Sequence, residues 1–233
     1  MKGERRVLES SEFDEAAAEW IVEKINQVLS QSDHCHLMLA GGSTPLPVYD
    51  KLALRDDIPW HKITIYFGDE RCVPPMTSES NAYSVISRLF PGGAPKDTTV
   101  HRMCGEKNPD KAALAYESIL PLRIDVLLLG IGEDGHTASL FPGSVAMDEE
   151  KRRVMPVIGH KQPLQRLTIT PQVIREARYL LLMARGEDKA DAVRWALSEG
   201  SVPAALAADG DWLMDMGAAR SLPENSDNLG VVS

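Results

Sequence analysis

Short aliphatic runs alternate along the chain with stretches in which apolar residues recur at helical spacing. Between Ser11 and Leu29 the positions Phe13, Ala17, Trp20, Ile21, Val28 and Leu29 follow that spacing, and Ser11 with Asp14 has the form of a capping box. His34-Cys35-His36-Leu37-Met38-Leu39-Ala40 predicts a first strand. Gly41-Gly42-Ser43-Thr44 breaks it, and Pro45 suits the first turn of a helix continuing to about Leu54. Ile63–Phe67 predicts a second strand, ended by Gly68-Asp69-Glu70-Arg71. Helices follow over about Ser80–Leu89 and Pro109–Leu120, with a loop rich in Pro and Gly between them. Val126–Leu129 predicts the third strand. The interval from Phe141 to Gln165 is irregular, with one short strand at Val154–Val157. Arg166–Thr170 and Tyr179–Ala184 then read as strands joined by a short helix. A helix from Gly186 to about Ser198 and a last strand around Trp212-Leu213-Met214 complete the pattern.

Strands that alternate with helices imply a doubly wound α/β fold: a mainly parallel sheet with helices on both faces, in a single domain over 1–221. The remaining residues, 222–233, are poor in large apolar side chains and read as a mobile tail. The fold has a geometric consequence. Gly41–Thr44, Asp69–Arg71, Asp134–His136 and Gly186–Lys189 each follow a strand, so four polar turns gather on one edge of the sheet, where open α/β sheets bind ligands.

The most informative of these turns closes Leu127-Leu128-Leu129-Gly130-Ile131-Gly132-Glu133-Asp134-Gly135-His136-Thr137-Ala138-Ser139. Three glycines end an aliphatic run, His136 follows two acids, and the small residues after it predict the start of a helix. Gly130 to Gly135 also has the spacing G-x-G-x-x-G. Two carboxylates inside the turn would repel a pyrophosphate, and the motif lies mid-chain, so a dinucleotide site is the weaker reading. An imidazole that titrates near neutrality, held in such a turn, instead suits the exchange of a proton with water.

Composition narrows the partners. With 233 residues, 43% hydrophobic and 25% charged, the chain resembles an ordinary soluble globule. A net charge of −9 argues against nucleic acid or an anionic membrane as partner. Any anionic substrate would then depend on local Arg and Lys. The start, Met1-Lys2-Gly3-Glu4-Arg5-Arg6, lacks the apolar core of a signal peptide, and the three scattered cysteines form no C-x-x-C, which together suggest reduced thiols and a cytoplasmic protein.

Gly41-Gly42-Ser43-Thr44-Pro45 offers hydroxyls and a helix N-terminus to an anion such as phosphate, or simply an N-cap; the residues alone leave both open. Pro45 stands where a nucleophile elbow needs glycine, so Ser43 is a poor covalent nucleophile. Arg71 can grip a phosphate or pair with its own acidic neighbours. Lys189, at the start of a helix, opposes the macrodipole, which suggests a task for it. His34 and His36 share a strand face; without further ligands they read as a packed or hydrogen-bonded pair rather than a metal site.

Gly41–Pro45, Asp69-Glu70-Arg71-Cys72-Val73-Pro74, and Gly130 through His136 to Thr137-Ala138-Ser139-Leu140-Phe141-Pro142 together resemble the 6-phosphogluconolactonase family in order and spacing. The likeness continues through Arg166-Leu167-Thr168-Ile169-Thr170 and the Lys189 helix, and so covers nearly the whole chain. It implies a doubly wound fold shared with glucosamine-6-phosphate deaminase, and hydrolysis of 6-phosphogluconolactone in the oxidative pentose phosphate pathway. No cofactor and no obligatory metal are implied. His136 would activate water, Arg71 and Lys189 would hold the phosphate with Gly42, Ser43 and Thr44, and Asp69 would orient the sugar or the histidine. Asp134, Gly135 and Arg166 would be further substrate contacts. The chain departs from the family pattern at Val202-Pro203-Ala204-Ala205-Leu206, where a polar residue after Pro-Ala is common.

The implied partner is a sugar-phosphate lactone, with no nucleic acid or membrane, in a monomer or homodimer. Two rivals remain. An isomerase or deaminase on the same fold typically carries Asp-Glu-Tyr and Gly-His-Ile where this chain has Asp69-Glu70-Arg71 and Gly135-His136-Thr137. A non-catalytic sugar-phosphate sensor could dispense with His136.

Overall fold

The computed structural model describes residues 3–223 and 229–231. Its centre is strand β6 (Val126–Gly130), all of whose first four residues are buried. Neighbouring side chains along it serve opposite faces, Leu127 and Leu129 in one core and Val126 and Leu128 in the other. A strand covered on both faces has no place for polar residues, which explains the unbroken aliphatic run.

The other strands, in chain order, are β1 (Arg5–Leu8), β2 (Cys35–Leu39), β3 (Ile63–Phe67), β4 (Asp69–Arg71), β5 (Thr99–Val100), β7 (Val154–Ile158), β8 (Gln165–Ile169), β9 (Tyr179–Ala184), β10 (Asp211–Asp215) and β11 (Leu229–Val231). Eight form one sheet in the order β11-β1-β10-β9-β6-β2-β3-β5, with every pairing parallel. The other three form a small antiparallel sheet, β4-β8-β7.

Helices α1 (Phe13–Leu29), α2 (Leu46–Ala53) and α3 (Asn81–Leu89) supply Ile21, Val48 and Val85 to the core that holds Leu128. On the other face α4 (Pro109–Glu117), α5 (Pro171–Glu176), α6 (Ala190–Arg194) and α7 (Met216–Ala219) supply Ala113, Val173, Ala192 and Ala218 to the core that holds Leu127. Full burial of one such leucine contributes about 2–3 kcal/mol. The doubly wound α/β reading therefore holds. Among the described residues no helix is long and apolar enough to cross a membrane.

Several expectations need correction. The first strand is β1, not the segment after His34, and α1 starts at Phe13 with Glu12 at its N-cap and no side-chain cap, so the Ser11/Asp14 box does not form. Asp69-Glu70-Arg71 is the strand β4, where a turn was expected, because β8 pairs with it. The expected tail lies partly outside the described residues; Leu229–Val231 runs beside β1.

Two tyrosines govern how β2 and β3 end. The Tyr49 hydroxyl donates to the Ala40 carbonyl at 2.7 Å and accepts from the Ala40 N–H at 3.1 Å. Tyr116 treats Phe67 in the same way, donating to its carbonyl at 3.1 Å and accepting from its N–H at 2.8 Å. Both rings are fully buried, and burial pushes both phenols well above the ordinary tyrosine range. Each thereby satisfies a peptide unit where the chain leaves the sheet. Replacing Tyr49 or Tyr116 with Phe should each cost about 1–3 kcal/mol in urea unfolding, the penalty for leaving buried donors and acceptors unpaired; a loss of a few tenths would mean that water replaces the hydroxyl.

Candidate active site

The carboxyl ends of β2, β3 and β6, with β4 and β8, frame a cleft of about 210 Å³. Gly42, Ser43, Thr44, Asp69, Arg71, His136, Arg166 and Lys189 all line it, so eight of the ten residues singled out from the sequence share one cavity. Asp134 and Gly135 do not line it; Asp134 lines an adjoining cavity with Arg71, His136 and Arg166.

The turn after β6 folds back on itself: the Gly132 N–H donates to the His136 carbonyl at 2.9 Å and the Gly135 N–H to the Gly132 carbonyl at 3.0 Å. A Cβ on Gly132 would lie 2.1 Å from the His136 ring, so glycine is what lets the imidazole lie against the backbone. Gly135 has φ +79°, and a Cβ there would meet Val202 at 2.5 Å. Gly135 thus turns toward Val202 and not into the cleft, and its carbonyl accepts from the Ala204 N–H at 2.9 Å. The segment that departs from the family pattern is therefore the backing of the histidine turn.

The expected helix after His136 is absent. The Thr137 hydroxyl donates to the Gly130 carbonyl at 2.8 Å, Ala138 takes φ +48°, and the Ser139 hydroxyl donates to Asp69 at 2.6 Å. These contacts hold the segment in a non-helical shape.

His136 Nδ1 lies 2.5 Å from Asp134 Oδ1. Burial works against the charged form of Asp134, but the hydrogen bonds and charge of His136 outweigh it and hold the carboxyl well below the usual range. An ionised carboxylate only accepts, so Nδ1 carries the proton and Nε2 presents its lone pair. The acid that orients the histidine is therefore Asp134. Asp69, expected to orient the sugar or the histidine, lines the cleft and accepts from Ser139 and from Asn81 Nδ2 at 2.9 Å.

The cations are arranged differently from any sequence expectation. Arg71 and Arg166 stand directly opposite one another across the β4/β8 ladder. Like charges in such a pair repel. Burial, with the Arg71 charge beside it, draws the Arg166 guanidinium below its ordinary range, against the pull of Asp69. Arg166 donates to the carbonyls of Pro163 and Lys161, each at 3.1 Å. Arg71 donates to the Glu79 carbonyl at 2.9 Å, and its buried Nε has no partner among the described residues. The neighbouring acid, Glu70, does not neutralise it by a side-chain pair: it accepts from the N–H groups of Arg71, Asn81 and Ala82 and from the Ser80 hydroxyl. Lys189 is mostly buried, 2.8 Å from Asp188 and 3.8 Å from Glu133. Its turn is tied to β10, since Asp215 accepts from the Gly186 N–H at 3.0 Å.

No side chain caps α2, so Ser43 and Thr44 are not the N-cap of the alternative reading. His34 bonds the Thr64 hydroxyl at 2.7 Å and meets His36 edge-on, a packed pair at the far end of β2. Sequence reasoning missed Asn81, which lines the cleft and bonds both Asp69 and Glu70, and which sits where a Cβ on Gly41 would be. A lone Asn at a helix start carries no signal of that task.

The described family of glucosamine-6-phosphate isomerases/6-phosphogluconolactonase matches residues 9–214. A 6-phosphogluconolactonase of Streptomyces coelicolor is 35% identical over 237 residues, 91% of each chain. The crystal structure of 6-phosphogluconolactonase from Thermotoga maritima superposes with a TM-score of 0.83 at 29% identity, covering 92% of this chain and all of that one. The structure of 6-phosphogluconolactonase from Trypanosoma brucei gives 0.83 at 29% identity, over 95% and 99% of the two chains.

The depressed Asp134 fixes the sign of a pH effect. A carboxyl whose folded value lies below its unfolded one stabilises the fold above about pH 4 and ceases to as pH falls through the folded value. The melting temperature of Asp134→Asn should therefore lie below that of the parent at pH 7, and the gap should close as pH falls below about 4. A gap independent of pH would show that the charge of Asp134 is not what matters.

Proposed function

The chain belongs to the family of glucosamine-6-phosphate isomerases and 6-phosphogluconolactonases, and on that premise we propose that it hydrolyses 6-phospho-D-glucono-1,5-lactone to 6-phospho-D-gluconate, a step of the oxidative pentose phosphate pathway. The observation that carries the reading is the opposed pair Arg71 and Arg166, with an unpartnered Nε on Arg71, in the same cleft as the Asp134-bound His136. Two arginines from paired strand positions lining one cleft call for an anion with several oxygens, and the phosphate supplies one.

In this reading the phosphate lies between Arg71 and Arg166, helped by Lys189 and by Gly42, Ser43 and Thr44. Holding one end of the substrate fixes the lactone carbonyl relative to His136, so that attack by water becomes nearly intramolecular. His136 Nε2 takes a proton from the water as its oxygen bonds to C1. Charge on the carbonyl oxygen meets N–H donors of the glycine turns. The ring C–O bond then breaks, and the departing oxygen recovers the proton from His136 to become the C5 hydroxyl. Atoms balance with no covalent enzyme intermediate. Asp134 keeps Nδ1 protonated throughout, and Asp69, through Ser139, keeps the turn in place. Against the rival deaminase stands Arg71, at the position of its typical tyrosine.

Freshly generated lactone, followed by acid release against an enzyme-free control, tests the reading. Turnover should exceed background, and His136→Ala should lower it by about 10²–10⁴-fold while inorganic phosphate still binds. Equal loss of turnover and phosphate binding would remove the base assignment; ammonia release from glucosamine 6-phosphate would overturn the function itself. Arg71→Ala should raise KM by roughly tenfold or more with a smaller effect on kcat, the pattern of a lost ionic anchor. An unchanged KM would take Arg71 out of the phosphate site.

A further inference from the structure

The connection from β7 to β8 brings a second imidazole to the histidine turn. Residues 159–164 close a tight hairpin in which the Gly159 N–H donates to the Leu164 carbonyl at 2.6 Å. Arg166 fixes it through the carbonyls of Lys161 and Pro163, and a Cβ on Gly159 would fall 2.7 Å from Arg166 Nε, so the hairpin rests directly on that guanidinium. His160 stands on this hairpin with 57% of its side chain exposed. Its ring lies 4.7 Å from the ring of Phe141, and the His136 ring lies 4.8 Å from the same phenyl. His160 Nδ1 is 3.6 Å from Asp134 Oδ2, the oxygen that the His136 ring does not use. One carboxylate therefore faces two imidazoles, one through each oxygen.

We propose that His160 is a positioning residue that shares Asp134 with His136 and sets the pH range in which His136 works as a base. The proposal rests on the reading of His136 as that base. A carboxylate paired with His136 favours its protonated form, and an imidazole that stays protonated cannot accept a proton from water. A cation on the second oxygen would compete for that carboxylate's field, and this is the route by which His160 would act on His136. The remaining charges around the pair do not change over the relevant range. Arg71 and Arg166 are permanent cations, while Glu133 faces Lys161 at 3.9 Å and Lys189 at 3.8 Å. Among the described groups beside Asp134, the two histidines are the ones whose ordinary titration falls between pH 5 and 8. The Phe141 contacts hold both rings in place, and the Arg166 contacts hold the hairpin, so the sharing is built into the folded chain.

The test uses the full chain with His160→Gln, which removes the charge, and His160→Phe, which keeps a ring against Phe141 without one. Histidine ring signals are followed by NMR from pH 5 to 8, with His136 assigned by its loss in His136→Ala, and kcat/KM is measured over the same range. In both variants the His136 signals should titrate at higher pH than in the parent, by about 0.3–0.5 unit, the order expected when a charge on the far oxygen of the same carboxylate is removed in a wet cleft. The acid limb of kcat/KM should move by the same amount. His136 signals that titrate unchanged in both variants overturn the proposal whatever the rate does. Signals that move while the rate limb stays still uphold the sharing and remove the base assignment, so the two readings fail separately. A fall of more than tenfold in the plateau with no movement of the limb also overturns it, because His160 would then be a substrate contact.

Discussion

Every ladder of the large sheet is parallel, and much of the molecule follows from that constraint. A parallel strand can be re-entered only by a crossover, so each strand's carboxyl end is released at one edge and each helix lies over a face. The faces take the aliphatic side chains, which leaves the edge as the place where chain can be polar and irregular. That freedom has its own requirement. As β2 and β3 end, the peptide units at Ala40 and Phe67 lose ladder partners, and Tyr49 and Tyr116 supply them from within the core. The polar turns thus begin from fixed points.

The same edge resolves an apparent electrostatic contradiction. A chain of net charge −9 is assigned an anionic substrate, and several of its acids lie within or against the cleft. Those acids are committed elsewhere. Glu70 is saturated by the start of α3 and by Arg71's own backbone, Asp69 is held by Asn81 and Ser139, and Asp134 is engaged through one oxygen by His136. They serve as internal hydrogen-bond acceptors that hold backbone in place, and the guanidinium groups are left to face the cavity. Burial with satisfied hydrogen bonds lets the protein keep Asp69 and Glu70 beside the cleft.

Much of this was legible in the chain. Aliphatic runs bounded by glycine located β2, β3, β6 and β9, and the convergence of four turns placed the cleft. What escaped notice was decided by partners distant in sequence. Asp69-Glu70-Arg71 has no strand pattern; it is extended because β8 pairs with it. Arg5–Leu8 buries only half its residues, too few for a period, and Thr99–Val100 is a two-residue strand. Thr137-Ala138-Ser139 reads as the start of a helix, but hydrogen bonds to Gly130 and Asp69 hold it in another shape. The division of labour between Asp69 and Asp134 was equally hidden, since two acids near a histidine look alike until the distances separate them. Asn81 and His160 are single residues without a motif, and each matters through what it touches across the fold.

The opposed arginines have one further consequence, for how such a site can change over generations. Arg71 and Arg166 are brought together by the register of a ladder, not by a shared loop. A point substitution can delete either charge, but an added or lost residue in β4 or β8 sends one of them to the other face of the sheet. The pairing is therefore passed on as a single trait. Descendants of this chain can swap the residues around the cleft one at a time and so try new sugars, while the two backbone positions from which the arginines reach stay tied to the spacing of adjacent strands. The small sheet works as a ruler that drift can read but not easily redraw.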